Sequence, residues 1–167
     1  MDALNVKLGV CTVTIDGTAV GHTIGGVEVT YSMEKYTSKV DQYTGPTEHF
    51  LVGETLQAKV PLAEFTLANI NRAIPHGTIS GGKLNIGSYA GKRFSTYAKQ
   101  MILHPIENDA SDRSDDVVIW KAVCVSDDIV IGHTNEGEKI IEAEFGGLVD
   151  ETRSDGSMLG LIGDSIS

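Results

Sequence analysis

Five histidines, two cysteines and twenty-three Asp and Glu are the residues of this 167-residue chain that could do chemistry. A zinc site needs His, Cys or carboxylate ligands at short recurring spacings. His22, His49, His76, His104 and His133 have no such ligands at that spacing. The run Asn108-Asp109-Ala110-Ser111-Asp112-Arg113-Ser114-Asp115-Asp116 could offer oxygens to calcium, but Arg113 and Ser114 stand where an EF-hand loop needs a ligand and a Gly. A solvated loop accounts for it. Nucleophilic catalysis calls for Ser in a G-x-S-x-G turn or Cys beside a base. Gly156-Ser157-Met158-Leu159-Gly160 lacks that spacing, and Gly87-Ser88-Tyr89 lacks the elbow around it. Gly21-His22-Thr23-Ile24-Gly25-Gly26 has no phosphate-binding Lys and precedes a strand, so a tight turn explains it better. Cys11 and Cys124 each lie in an apolar run and read as free buried thiols. No catalytic residue, cofactor or metal ligand is assigned, and nothing in the spacing argues for an enzyme.

Charge narrows the partners. Thirteen Lys and Arg against twenty-three Asp and Glu leave a net charge of −10. Gripping phosphates takes clustered cations that release counterions, and the longest basic grouping is Lys92-Arg93. Tight nucleic-acid binding and attachment to an anionic membrane are both disfavoured. No apolar run is long enough to span a bilayer, and Met1-Asp2-Ala3-Leu4-Asn5 is not a secretory leader. The expectation is one soluble domain made in a cytoplasm, large enough to hold a core without disulfides or a structural metal.

The elements that would position these residues are mostly strands. Short β-branched or aromatic runs alternate with Gly, Asn and Asp clusters. Cys11, Val13 and Ile15 share a face ahead of an Asp16-Gly17 turn, which predicts a hairpin. From Gly26, Val27, Val29, Tyr31 and Met33 face a dry side, and Glu28, Thr30, Ser32 and Glu34 a wet one. The return run from His49 to Val60 places Phe50, Val52, Leu56, Ala58 and Val60 opposite Thr55, Gln57 and Lys59. Glu54 breaks that parity, and the adjacent Gly53 suggests a bulge. Two arms of about 12 residues would each span roughly 40 Å, too long for a lone hairpin in water. Something outside the domain is expected to cover them. A helix is predicted over about 62–74, with Pro61 at its start, Ala63, Leu67, Ile70 and Ile74 as its apolar stripe, and Pro75-His76-Gly77 as its stop. Val117 to Val125 reads as a strand buried on both faces, and Lys139 to Phe145 alternates Ile141, Ala143 and Phe145 against Glu142 and Glu144.

The segment Ile24-Gly25-Gly26-Val27-Glu28-Val29-Thr30-Tyr31, then Val40-Asp41-Gln42, Val52-Gly53-Glu54 and Lys59-Val60-Pro61-Leu62-Ala63-Glu64 before a helix, resembles the major tail tube proteins of long-tailed, siphophage-type bacteriophages. By motif the resemblance covers residues 8 to 75, and by layout the remainder. It implies a mainly β chain, a β-sandwich or barrel-like tail tube fold with one flanking helix and a long β-hairpin over about 26–60. The single domain, 1–167, would carry an N-terminal arm over about 1–8 and a C-terminal arm over about 153–167. Hexameric rings would stack into a hollow tube in the virion tail, assembled in the host bacterial cytoplasm. The tube would work with tape-measure, tail tip and tail terminator proteins and let phage DNA pass without tight binding.

On that resemblance Glu28, Thr30, Ser32, Glu34, Thr55, Gln57 and Lys59 are candidates for the lumen face. An acidic wall would repel DNA and let it slide. Tyr36, Lys39, Asp41, Tyr43, Pro46 and His49 at the hairpin tip, with Met158, Leu159, Leu161 and Ile162 in the C-terminal arm, are candidates for contacts between subunits or rings. Two other readings stay open: a secretion-system-like tube ring, and a monomeric β-barrel that binds a ligand in an enclosed apolar pocket.

Overall fold

The computed structural model describes residues 9–133, 135 and 137–164; the arm expected over residues 1–8 lies outside them. Its strands are β1 (Cys11–Ile15), β2 (Thr18–Ala19), β3 (Glu28–Ser38), β4 (Glu48–Leu62), β5 (Thr78–Ser80), β6 (Lys83–Asn85), β7 (Lys99–Pro105), β8 (Val117–Cys124), β9 (Ile141–Gly147) and β10 (Gly160–Ile162). One helix, α1 (Leu67–Ala73), follows β4. The chain is mainly β, as expected. Eight strands form one antiparallel sheet in the order β2-β1-β7-β8-β9-β4-β3, with β10 on β8, and β5 and β6 pair separately.

Local chemistry explains the turns. Asp16 and Gly17 both adopt positive φ, 53° and 73°, the conformation a two-residue hairpin needs to match strand twist. Val13 and Ile15 are thereby buried. The core continues across the inner face of the sheet through Met101, Leu103, Ile119, Phe145, Ala143, Ala58, Val60 and Leu62, and α1 closes it with Ile70 and Ala73.

The helix is shorter than its apolar spacing predicts. Pro61 does not start it; it lies in β4 opposite Glu142, and Ala63 N–H still donates to the His22 carbonyl. Thr66 is the true cap, its side chain accepting from Asn69 N–H at 3.2 Å. Pairing with β9 extends the strand to Leu62, and the helix begins where a side chain can satisfy its first free N–H groups. The stop at Pro75-His76-Gly77 holds, with Gly77 N–H on the Ile74 carbonyl.

Strand β8 is buried on both faces. Between its pairs Met101↔Ile119 and Lys99↔Ala122 it has one residue more than β7, a bulge that lets apolar residues follow one another without alternation. Ile119, Ala122 and Cys124 face the core, while Val118, Trp120 and Val123 are buried outside it. The C-terminal segment covers that outer side. Trp120 Nε1 donates to the Ser157 carbonyl at 2.8 Å, and the Arg153 guanidinium lies 3.6 Å from the centre of the indole. Asp150 anchors the same strap through Lys121 at 3.2 Å and Arg153 at 3.8 Å.

The acid-rich loop after β7 is pinned, not simply solvated. Asp116 is fully buried and receives His104 Nδ1 at 2.6 Å and Arg113 Nη1 at 3.2 Å. A carboxylate buried this deeply is stable only with such partners.

Two outcomes test the strap. A Cβ at Gly160 would sit 2.2 Å from the Val118 carbonyl oxygen and 2.8 Å from Leu56 Cδ2, so Gly160→Ala is expected to cost about 1–3 kcal/mol in denaturant titration. Asp150's carboxyl is held below its ordinary value, first by the Thr152 hydroxyl and then by Lys121. Its contribution is therefore complete above the ordinary value of 3.8 and lost as pH falls through the depressed one. Fluorescence of Trp120, the only tryptophan, should stay constant near neutrality and change only in strong acid, whereas Asp150→Asn should show the changed spectrum at neutral pH.

Candidate assembly surface

The β3–β4 hairpin outgrows the body that carries it. At about 3.3 Å per residue, the 15 residues of β4 extend roughly 50 Å. Pairing with β9 covers only Gln57 to Leu62, while pairing with β3 runs from Glu48 to Lys59. Among the described residues, the whole outer edge of β3 and one edge of β4 from Glu48 to Leu56 therefore have no strand beside them. Unpaired edges of this length invite another strand.

All seven residues expected on one face are brought together there. The register sets Glu28 against Lys59, Thr30 against Gln57 and Ser32 against Thr55, with Glu34 opposite Gly53. This face lies away from the core, because the alternate residues Leu56, Ala58 and Val60 are buried. Lys59 pairs with Glu144 in register and sits 4.0 Å from the Glu142 carboxylate. Glu142 and Glu144 thus extend the same polar surface, which then holds four glutamates and one lysine. The alternation of 139–145 carried that signal, but only the pairing of β9 with β4 shows which surface it joins.

Three expectations about the hairpin need correction. The side read as dry is on the core side of the sheet but beyond the reach of the core: Val29, Tyr31 and Met33 are 36%, 49% and 48% exposed. Val52 is the extra residue of a bulge opposite Glu34 and Lys35, one position from the Gly53 expected to mark it. That extra residue reverses the facing beyond it, so Phe50 pairs with Tyr36 on the polar side, ring centres 6.4 Å apart, instead of sharing a face with Leu56. Glu54 does stand among apolar neighbours, and the Tyr31 hydroxyl donates to it at 2.5 Å.

The tip residues Tyr36, Lys39, Asp41, Tyr43, Pro46 and His49 are all exposed around a loop from 39 to 47. The tip is closed by Thr47, whose N–H and hydroxyl both donate to the Ser38 carbonyl. Thr37 Oγ1 and His49 Nδ1 are 3.0 Å apart across the pair.

In the C-terminal segment Gly160 to Ile162 form β10 on this chain's own β8, and Met158, Leu159 and Leu161 are half-buried there; of the four candidates Ile162 is the exposed one. Residues 165–167 lie outside the described residues. Between this strap and the hairpin runs an open groove of about 590 Å³, lined by Tyr31, Glu54, Leu56, Met158 and Leu161 among others.

Chemistry at the remaining candidates is sparse. Cys11 and Cys124 are unbridged, and burial pushes the Cys11 thiol up, away from the reactive thiolate. Among the described residues no three His, Cys, Asp or Glu side chains converge as metal ligands, and no helix is long and apolar enough to cross a membrane.

The Tyr31–Glu54 pair gives the groove a titratable marker. The hydrogen bond to Glu54 favours the neutral phenol, and partial desolvation and the carboxylate charge act in the same direction, so its pKa is raised above the ordinary 10.0. The pair's support for the hairpin is complete below that ordinary value and is lost as pH rises through the higher folded one. Ultraviolet titration of the five tyrosines should show a step above the ordinary range that Tyr31→Phe removes. An unchanged titration in the variant contradicts the assignment.

Comparison with protein-family models finds no match, and comparison with curated proteins finds no significant relative.

Proposed function

We propose that this chain is a structural virion protein, the major tail tube subunit of a long-tailed bacteriophage, which assembles into hexameric rings that stack as a conduit for DNA ejection. The observation that carries the reading is the hairpin: two long strands with free edges, apolar side chains left in water, and one polar, glutamate-bearing face. Val52, Tyr36 and Tyr43 are 63%, 62% and 70% exposed. A monomer gains nothing from this arrangement, because a two-stranded ribbon without a covering layer is barely stable. A closed ring of copies pairs edge to edge and removes the liability. The glutamate face would then line the bore, where it repels DNA.

Tape-measure, tip and terminator proteins would be the partners inside the tube and at its ends. A secretion-system ring uses the same edges and differs in its cargo. The ligand-binding reading finds less support: the groove beside Tyr31 is open along the hairpin, not enclosed, and suits a chain segment better than a small molecule.

Negative-stain electron microscopy with light scattering, over rising protein concentration, should show rings or hollow tubes. Tubes of the wild-type chain should not retain DNA. Tubes of Glu28→Lys/Glu34→Lys should retain it at low salt and release it as salt rises, since the bound counterions must be recovered. A chain that stays monomeric at every concentration, with or without preformed tube ends as initiators, overturns the proposal. Tubes whose DNA retention ignores both charge reversals overturn the placement of the lumen face.

A further inference from the structure

An Asp followed by Gly is the pair at which a backbone most readily rearranges without an enzyme, because Gly has no side chain to shield its amide nitrogen from the carboxyl carbon before it. The chain has two such pairs, Asp16-Gly17 and Asp155-Gly156. Their surroundings differ. Asp16-Gly17 is the turn of the β1–β2 hairpin, closed by the pairing of Ile15 with Thr18 and of Thr14 with Ala19. Asp16 N–H donates to the Gln100 carbonyl at 2.9 Å, and the Asp16 carboxylate lies 3.3 Å from Lys99 Nζ. Bringing that carboxyl carbon against Gly17 nitrogen first requires a local opening that gives up some of these contacts.

Asp155 and Gly156 are instead the central residues of a turn in the C-terminal strap, closed by Ser157 N–H on the Ser154 carbonyl at 3.0 Å. Asp155 is exposed and, among the described residues, its carboxylate is in no ion pair and accepts no hydrogen bond, while Gly156 N–H donates none. A Cβ built on Gly156 would meet nothing within 4 Å, so the nitrogen is not crowded either. Both reacting groups are therefore unanchored. The residue after them is not: the Ser157 carbonyl accepts from Trp120 Nε1 at 2.8 Å, the bond that ties the strap to β8. Asp155, Gly156 and Ser157 also line the groove shared with Tyr31 and Glu54.

We infer that Asp155 is a modification site, at which spontaneous isoaspartate formation loosens the strap from Trp120. In the first step Gly156 nitrogen attacks the carboxyl carbon of Asp155 in its protonated form. A C–N bond forms, the amide proton and the carboxyl hydroxyl leave as water, and a cyclic imide remains. In the second step water adds to the imide carbonyl that came from the backbone, and the C–N bond there breaks. The chain then runs through Cβ and Cγ of Asp155, and the former backbone carbonyl is a carboxylate. The water lost is regained, the charge is unchanged, and no oxidant or cofactor is consumed. The backbone has gained one carbon in the turn, so the Ser157 carbonyl is displaced from Trp120 Nε1 and the wall of the groove shifts with it. The inference stands on the single chain and does not depend on ring formation.

The test ages the full-length chain below its melting transition and then digests it with trypsin. Cleavage after Arg153 places Asp155 in a peptide that begins at Ser154, and cleavage after Lys7 and Lys35 places Asp16 in the peptide 8–35. Electron-transfer fragmentation locates isoaspartate within each. In the folded chain it should form at Asp155 about tenfold faster than at Asp16, the factor that one hydrogen bond and one exposed ion pair are worth together. In denaturant, where neither turn persists, the two rates should converge. Fluorescence of Trp120 should drift in step with isoaspartate at Asp155. Asp155→Glu keeps the charge but must close a larger ring, a much slower reaction, and should hold the fluorescence constant. Equal rates in the folded chain, or a difference that survives denaturation, overturn the assignment. Isoaspartate at Asp155 that leaves Trp120 fluorescence unmoved overturns the loosening of the strap.

Discussion

Burial and exposure meet on one strand, β4. In the inner half of β4, Gln57 to Lys59 are paired on both sides, and Leu56, Ala58, Val60 and Leu62 are carried into the core. Its outer half is held by β3 alone. A backbone pairs wherever a partner lies beside it, whereas a hydrophobic core ends where the layers run out. The hairpin continues past that point because its hydrogen bonds do not need the core, and its side chains are left without cover because they do.

That single mismatch organises the rest of the surface. On the core side, Tyr31 and Met33 emerge from under the last core residues, and Tyr31 finds Glu54 as a polar partner. On the other side the polar residues of β3, β4 and β9 form one continuous field dominated by glutamate. The bulge at Val52 then exchanges the two sides near the tip, so that Phe50 and Tyr36 meet above the polar field. A bulge increases local twist and ends regular alternation. The tip consequently differs in character from the shaft: the aromatic pair Tyr36 and Phe50 lies on the side that is polar in the shaft, and Lys35, Thr37 and His49 lie on the other.

The C-terminal strap shows how completely the body is covered compared with the hairpin. Trp120, Arg153, Asp150 and Lys121 tie it to the outer face of β8, and Gly160 is small enough to lie against the Val118 carbonyl. With the strap in place, β8 reads as an apolar run for a physical reason. One side faces the core, the other faces the strap, and a bulge removes the need to alternate.

Local residue chemistry was enough to establish the mainly β character, the Asp16-Gly17 turn, the two long arms, the stop of the helix and the membership of the polar face from Glu28 to Lys59. Each depends on neighbours one to four residues apart, where alternation, turn-forming residues and Gly or Pro act directly on the backbone. What depended on residues distant in the chain had to come from tertiary structure. Pro61 stays in a strand because β9 lies beside it, and Glu142 and Glu144 join the polar face through the same pairing. Phe50 changes sides because one extra residue in β4 is accommodated opposite β3. The C-terminal residues, apolar and Gly-rich in a way compatible with an arm, close on β8 because Trp120 and Val118 offer a surface there. Asp116, one acid among many in its run, is singled out by burial against His104 and Arg113. Periodicity specifies that a residue has a side; only the packing of distant strands specifies what stands on that side.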